Sequence, residues 1–282
     1  MRAGLIALGL VAALAACGGD GDDSSPQVLP AAGFADKAAA AIITQSELRA
    51  APGSEPLVSV SAEDSLDVFN LRLREQYAEY KANPGRLEAI LRTVVEAAEM
   101  TMARGNAGRS FEDVRREVLP ILKPLTAMRG LKDEPLTTRF PGNLRVAYLV
   151  QRDDSVTAVT PRDLDRWDST AGELHGLAVD NLLRRTNEEE PLGCEEQLCG
   201  WASGDGYDAV RMIVPELRRQ IVREIGGPAV YAVPTESVYV ALPIRLADRI
   251  RTRVEQQFVS AENPVSQDLF IERGGELVVL PR

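Results

Sequence analysis

The chain has 282 residues, of which 45% are hydrophobic and 26% charged, and its formal net charge is −10 at pH 7. This composition is typical of a globular protein with one sizeable domain or two small ones, so disorder is confined to local stretches. The negative charge argues against a nucleic-acid partner, because nucleic-acid binding needs concentrated lysine and arginine to displace counterions.

The N-terminal segment, residues 1–16, is typical of a bacterial lipoprotein signal peptide. Arg2 precedes an apolar run from Ala3 to Ala16, which is too short to span a bilayer as a stable anchor. The run leads into "LAAC" at 14–17, which resembles the lipobox of bacterial lipoproteins. By that resemblance, cleavage follows Ala16, and Cys17 receives a diacylglyceryl thioether and an acylated amino group. The alternative is an ordinary cleaved signal that happens to precede a cysteine.

The residues after Cys17 predict where the anchored protein resides. In lipoproteins of bacteria with two membranes, an Asp directly after the lipidated cysteine favours retention in the inner membrane, and this chain has Gly18 there. Residues 17–33 hold little to bury and several turn formers, which is typical of a flexible tether. We therefore expect a lipid-anchored envelope protein that faces the periplasm, with the outer membrane favoured over the inner membrane.

An N-terminal α+β subdomain is predicted over residues 34–130. Its first half contains a helix over 34–48, two short strands over 56–70 and a helix over 70–83. Asn83 and Pro84 predict a helix start, with Asn83 as the cap. The helix that follows places a stripe of apolar residues on one face, which indicates a core face: Leu87, Leu91, Val94, Ala98 and nearby Met102. A short helix around 111–125 precedes a Pro- and charge-rich connection at 130–142, which is the best internal boundary.

A C-terminal α+β subdomain is predicted over residues 140–282. A hairpin over 144–160 is followed by helices over 161–167 and 171–185. The next segments predict a strand at 207–214, a helix at 215–226, two strands within 229–243, a helix at 244–258 and two strands within 268–280. This order contains βαββαβ, which is compatible with a ferredoxin-like arrangement. The fold class is α+β, with mixed or antiparallel sheets and packed helices.

Several segments, in this order, resemble the YtpQ-like family of bacterial domains of unknown function. They are "NLRLREQYAEYKANP", "PGNLRVAYLVQRDDSVTAVTPRDLDRW", "ELHGLAVDNL", "GDGYDAVRMIVPEL" and "VYAVPTESVYVALPI". The similarity runs from about Phe34 to the C-terminus, and it implies no particular activity, cofactor or catalytic residue. The lipobox and the Cys194/Cys199 insert depart from the usual cytosolic members, which argues against transferring a cytosolic role.

The chain has one histidine, His175, and this limits the available mechanisms. A histidine-based zinc site or a two-histidine proton relay cannot be built, and no serine has a nucleophile signature. His175 is predicted at the border of a helix core face, half packed, with a general-base role as the alternative. The acidic pairs 153/154 and 163/165 lie in predicted turns and helix starts, where carboxylates favour capping. We therefore expect no catalytic residue set, no metal site and no cofactor.

The stretch "CEEQLCGWASGDGYDA" at 194–209 holds the two remaining cysteines. Their spacing lacks the second pair of ligands that zinc needs, and Glu195 and Glu196 oppose a reactive thiolate. In an oxidising envelope a structural Cys194–Cys199 disulfide is expected, with redox or metal function and free thiols as alternatives. The Gly-x-Gly-x-x-Ala pattern at 204–209 precedes a predicted strand, the reverse of a dinucleotide-binding context, so it predicts a turn.

One functional expectation follows from this stretch. An acidic, disulfide-linked surface loop is the candidate binding site, comprising Trp201, Asp205, Tyr207 and Asp208. The favoured function is that of a non-catalytic binding or scaffold protein with an envelope protein or surface ligand as partner. The alternative is an envelope enzyme, either a carboxylate-based hydrolase or a thiol oxidoreductase.

Overall fold

A computed structural model describes residues 28–53, 55–131, 134–152, 155–189 and 192–281. The predicted signal peptide, Cys17 and most of the predicted tether lie outside these residues. The described part is an α+β fold of helices and antiparallel sheets, as predicted from the sequence. Its α-helices are α1 (Ala31–Gln45), α2 (Arg74–Ala82), α3 (Leu87–Arg104), α4 (Phe111–Val114), α5 (Pro161–Trp167), α6 (Ala171–Glu189), α7 (Pro215–Ile225) and α8 (Ala247–Ser260).

The strands form two sheets, and every described strand pair is antiparallel. The first comprises β1 (Leu48–Pro52), β2 (Leu57–Ala62), β3 (Val68–Arg72), β4 (Val118–Pro124), β5 (Thr137–Phe140), β6 (Leu144–Gln151) and β7 (Ser155–Ala158). The second comprises β8 (Gly193–Glu195), β9 (Leu198–Trp201), β10 (Ala229–Thr235), β11 (Val238–Pro243), β12 (Leu269–Arg273) and β13 (Glu276–Val279).

The first sheet has the order β1-β2-β3-β7-β6-β4, with β5 beside β6. It therefore takes strands from both sides of the connection at 130–142, because β4 pairs with β6 from Val118 opposite Val150 to Pro124 opposite Leu144. The division into subdomains at this connection stays a prediction.

Part of the sequence around 111–125 was expected to be helical but forms a strand. The helix α4 ends at Val114, and β4 runs from Val118 to Pro124. Pro120 and Pro124 cannot continue a helix without losing hydrogen bonds. They are compatible with β4 because this strand ends the order of the sheet, where a missing N–H breaks no pairing on the outer edge.

The second sheet has the order β13-β12-β10-β11-β9-β8. The predicted element order βαββαβ is present, but its first strand is β9 and not 207–214. The hairpin strands β10 and β11 lie at the centre of this unit, whereas a ferredoxin-like sheet has its first and third strands there. The expected strand at 207–214 is instead a 3₁₀ helix, Ala209–Ile213, whose five residues are all buried. A short apolar run does not distinguish a buried strand from a buried helical turn.

Three groups of buried residues form the core. The largest lies among β4, β6, α6, the 3₁₀ helix and one face of the second sheet. A second lies between α1, α3 and strands β2 and β3, and it contains Val94 and Ala98 of the predicted stripe. The third lies between α8 and the other face of the second sheet. Strand β10 is buried on both faces, because Tyr231 and Val233 belong to the first group and Val230 and Ala232 to the third.

Among the described residues, no helix has both the length and the apolar character needed to cross a membrane.

Candidate functional site

The two cysteines lie opposite each other in the β8–β9 hairpin. Cys194 pairs with Cys199 across the two strands, and their sulfur atoms are 2.15 Å apart, a disulfide distance. Cys199 is buried and Cys194 is exposed. Glu196 and Gln197 form the turn between the strands, and both have positive φ angles, 46° and 75°.

The expected surface loop is mostly interior, which corrects the binding-loop prediction. Trp201 is 4% exposed and stacks on Tyr239 of β11, with ring centroids 5.6 Å apart. Tyr207 and Asp208 are 5% and 0% exposed. The alternation of β9 explains the position of Trp201, since Cys199 and Trp201 point to the same covered face. Asp205 keeps a small exposed fraction.

Asp205 and Asp208 are both turned towards one arginine. Arg211 has no exposed surface, and its Nη1 and Nη2 donate to the Asp205 carboxylate at 3.0 and 2.6 Å. Nη1 also donates to Asp208 Oδ1 at 2.6 Å, and Nε donates to Thr186 Oγ1 at 3.1 Å. Asp208 in addition accepts hydrogen bonds from Ser203 Oγ and the Gly204 N–H. These acids therefore hold the loop onto α6 and are not available as an open acidic surface.

The electrostatics of the loop agree with this structural role. Burial acts to raise the pKa of the Asp205 carboxyl, but hydrogen bonds from Arg211 and the Tyr207 N–H outweigh it, so the pKa is lowered. Burial raises the pKa of Tyr207 to about 12, against the opposing effect of the Arg185 charge. Both groups therefore keep one charge state at neutral pH, with Asp205 ionised and Tyr207 neutral.

The loop also fixes the position of a more exposed arginine, Arg185 of α6. The Arg185 guanidinium lies over the Tyr207 ring, 5.0 Å from its centroid, and Nε is 3.9 Å from Asp205 Oδ2. Its Nη1 donates to Gln151 Oε1 at 3.1 Å, and the Tyr207 hydroxyl donates to the same oxygen. The predicted loop thus forms the support of the site, while Arg185 and Gln151 face the space beyond it.

That space is a cleft of about 930 Å³. We call it the arginine cleft after the five arginines in its lining, Arg72, Arg116, Arg152, Arg184 and Arg185. They come from the end of β3, the segment before β4, the residue after β6, and α6. The other lining residues are Glu117, Leu119, Gln151, Asn181 and Glu188.

Neighbouring side chains hold several of these groups in place. Asn181 donates from Nδ2 to the carbonyl oxygens of Arg115 and Val118 at 2.8 and 2.9 Å. Its Oδ1 accepts a hydrogen bond from Arg184 Nη2 at 3.2 Å, which fixes that guanidinium. Arg152 pairs with Glu117. Five arginines against two glutamates leave an excess of three positive charges (5 − 2) in the lining.

Two arginines of the cleft remain open to a ligand. Arg72 and Arg116 are exposed, and within the described residues neither side chain makes a hydrogen bond or an ion pair. A guanidinium presents several N–H donors in a plane that matches carboxylate and phosphate oxygens. The arrangement can therefore bind an oxyanion, with Arg185 and Arg184 held in place and Arg72 and Arg116 free to adjust.

This cleft is not predictable from the sequence, because its arginines are far apart in the chain. Arg184 and Arg185 are the last two residues of the helix predicted over 171–185, where basic side chains are common, but α6 continues to Glu189. Arginines at the ends of β3 and β6 look like ordinary solvated charges. The one available signal was the adjacent pair Arg184-Arg185 on a helix whose opposite face is apolar.

The other chemistry-bearing residues lie outside the cleft lining. His175 is half-buried and its Nδ1 is 2.9 Å from the Tyr148 hydroxyl, which is also 2.9 Å from Thr138 Oγ1. Asp163 caps α5 by accepting from the Thr160 N–H, as expected for an acid at a helix start. Asp153 and Asp154 lie outside the described residues. Within the described ranges, no group of three or more His, Cys, Asp or Glu side chains is placed to hold a metal ion.

Comparison with known proteins identifies a distant relative. UPF0354 protein BH3252 of Halalkalibacterium halodurans is 26% identical to this chain over 186 residues, which cover 64% of this chain and 67% of the relative. No family model matches the chain, and no solved structure matches it. The similarity supports assignment to an uncharacterised family, and it assigns no activity.

Proposed function

We propose that this protein is a lipid-anchored envelope protein that binds an anionic ligand in the arginine cleft without transforming it. The observation that carries the proposal is the convergence of five arginines from four separate segments on one cleft. The chain as a whole has a net charge of −10, so this local excess of positive charge opposes the overall charge. The proposal includes the YtpQ-like resemblance as a family assignment.

The chemistry of the cleft favours binding of a phosphate or carboxylate group. A cleft lined by one sign of charge concentrates the field and attracts ligands of the opposite sign. Gln151 and Asn181 add amide groups, and Leu119 adds a small apolar surface. These are groups that bind and orient a ligand, and the histidine of the chain faces Tyr148 elsewhere.

The binding proposal is tested by calorimetry at low salt. The purified protein, prepared without its lipid anchor, is titrated with inorganic phosphate, sulfate and citrate. We expect at least one of the three to bind, and Arg116→Gln to weaken that binding by about tenfold, the loss of one charge-assisted hydrogen bond. Arg253→Gln is the matched control, because Arg253 is an exposed arginine on α8 outside the cleft lining. If none of the probes binds, or if both variants weaken binding equally, the proposal is wrong.

The anchor is tested separately from the cleft. Cys17→Ser is expected to remove acyl labelling and release the protein from the membrane fraction, because two or three acyl chains are what holds it there. Density-gradient separation of the two membranes then tests the preference for the outer membrane that Gly18 suggests. Unchanged fractionation of Cys17→Ser would contradict lipid anchoring and would leave the binding proposal intact.

A further inference from the structure

A second cleft adjoins the arginine cleft at Arg72. It has a volume of about 450 Å³, and Arg72 lines both spaces from the end of β3. Two more arginines line it, Arg104 in the last turn of α3 and Arg109 in the segment after it. None of the described residues in the lining of this second cleft is acidic.

Arg109 brings an independent indication of a ligand. Its Nη1 is buried and has no hydrogen-bond partner among the described residues. A buried donor without an acceptor is costly, so such groups are rare in folded proteins. The Arg109 backbone is held in place, since its carbonyl oxygen accepts a hydrogen bond from Trp167 Nε1 at 3.0 Å. Arg109 also lines the second cleft, so a small rotation of its guanidinium would let an oxyanion there supply the acceptor that Nη1 lacks.

The exposed arginines of the two clefts are also free to bind an anionic ligand. The side chains of Arg72 and Arg104 make no hydrogen bond or ion pair with any residue in the described ranges. Arg72 therefore lies between two groups of cations, with Arg104 and Arg109 on one side and the arginine cleft on the other. A single small anion would occupy only one of these groups.

We propose that the two clefts form one groove for an elongated ligand that carries phosphate or carboxylate groups in series, with Arg72 between its ends. This inference rests on the proposed anion-binding function and adds the length and multivalency of the ligand. Joining two anionic groups in one molecule makes the second contact intramolecular, which raises the affinity above that of either group alone. The net charge of −10 disfavours contact of an anionic ligand with the rest of the surface, so the anionic groups that bind are those that lie within the groove.

The test compares ligands of increasing length on the same protein. Inorganic phosphate, linear tripolyphosphate and a longer linear polyphosphate are titrated at constant ionic strength, alongside oligoglutamates of matched charge. The wild-type protein is expected to bind the longest chain of one series at least about tenfold more tightly than the single anion. The series that shows this gain identifies the anionic group as phosphate or carboxylate.

The variants locate that gain in the second cleft. Arg104→Gln is expected to abolish the gain with length and to leave the affinity for inorganic phosphate unchanged. Arg104 is exposed, so this variant should fold normally, which circular dichroism checks. Arg109→Gln is expected to act in the same direction, and Arg253→Gln on α8 is the control that should keep the full gain.

The outcomes separate this inference from the proposal on which it rests. If a single anion binds and the gain with length is absent, or persists in Arg104→Gln, the elongated-ligand inference is wrong and the binding function stands. Equal losses in Arg104→Gln and Arg253→Gln would likewise overturn it, because the effect would then be general charge screening. If no anion binds the wild-type protein, the proposed function itself fails.

Discussion

Arg211 is a cation without exposed surface, and its carboxylate partners make that burial tolerable. Taking a guanidinium out of water costs several kcal/mol, which is offset only when most of its donors are satisfied. Asp205 accepts hydrogen bonds from the Arg211 guanidinium through both carboxylate oxygens. Asp208 accepts a further hydrogen bond from Nη1, and the Thr186 hydroxyl accepts one from Nε. The network connects the segment at 205–211 to α6, so the position of Arg185 in the arginine cleft depends on it.

Replacing Arg211 should therefore lower the stability of the protein strongly. Arg211→Met leaves two acidic side chains without their cation, and we expect the free energy of unfolding to fall by about 3–5 kcal/mol in urea titrations. Arg219→Met is the control, because Arg219 makes an exposed ion pair with Glu216 that is expected to contribute less than about 1 kcal/mol. Similar losses in the two variants would show that the buried network adds little to stability.

His175 offers a direct measurement of burial, because it gives the chain's only imidazole NMR signals. Burial lowers the pKa of His175 below its usual value of 6.5. The unfolded chain then binds more protons than the folded one between the two pKa values, so stability falls as the pH decreases from about 6.5 towards the folded value. We expect the imidazole titration midpoint to lie below 6.5 in the native protein and to return to it in urea. A native midpoint above 6.5 would refute this.

Single residues also show what the sequence could and could not predict. The pairing of Cys194 with Cys199 was accessible from spacing and expected compartment. The burial of Trp201, Tyr207 and Asp208 was not, because acidic and glycine residues around them resemble a surface loop. Their environment is set by α6 and by Gln151, which are close only in three dimensions.

Among the secondary-structure elements, the β8–β9 hairpin combines strain with a covalent link. A two-residue turn of this kind needs positive φ at both central positions, which Asn-Gly adopts readily and Glu196-Gln197 does not. Gly200 of β9 lies so close to β11 that a Cβ atom would come within 2.0 Å of the Tyr239 carbonyl oxygen. The disulfide and this close contact thus stabilise the hairpin, although its turn residues disfavour the positive φ angles that the turn requires.

Removing the disulfide should destabilise the hairpin, and replacing its two turn residues should then recover part of the lost stability. Cys194→Ser with Cys199→Ser is expected to lower the free energy of unfolding by about 2 kcal/mol, the chain-entropy value for so short a loop. Adding Glu196→Asn and Gln197→Gly to that variant should restore about 1 kcal/mol, because these residues adopt the turn without strain. Thermal unfolding measures both steps. A variant without Cys194 and Cys199 that is as stable as the oxidised protein would show that the disulfide is dispensable.

Helical periodicity was the most reliable guide to the elements. The apolar stripe of α3 was predicted from its spacing, and Val94 and Ala98 are buried as expected. Prediction failed at 207–214 and at 118–124, where short apolar runs are compatible with either a strand or a helix. Tertiary contacts decide these segments, since β4 pairs with β6 along its whole length.

For the whole molecule, the largest core joins the two sheets. Its buried residues run from Val114 to Leu277 and include β4, β6 and the inner face of the second sheet. Lys123 of β4 also pairs with Glu236 in the turn between β10 and β11. The two halves of the chain are thus expected to depend on each other for stability.

This dependence can be tested by dividing the chain at the 130–142 connection. Fragments 28–130 and 140–282 should each lack a cooperative unfolding transition, because β4 and β6 are separated and lose their shared core. Intact protein treated in the same way should unfold cooperatively. A fragment 140–282 that unfolds cooperatively and shows dispersed NMR signals would instead support two independently folding subdomains.

The central strand β10 imposes an order on folding. It is covered on one edge by β11 and on the other by β12, which begins only at Leu269. A chain emerging from the ribosome or a translocation channel therefore exposes Val230 and Ala232 until its last part is released, and it needs protection during that interval. A nascent chain arrested before Leu269 should remain protease-sensitive and bind chaperones, whereas one released beyond Val279 should not.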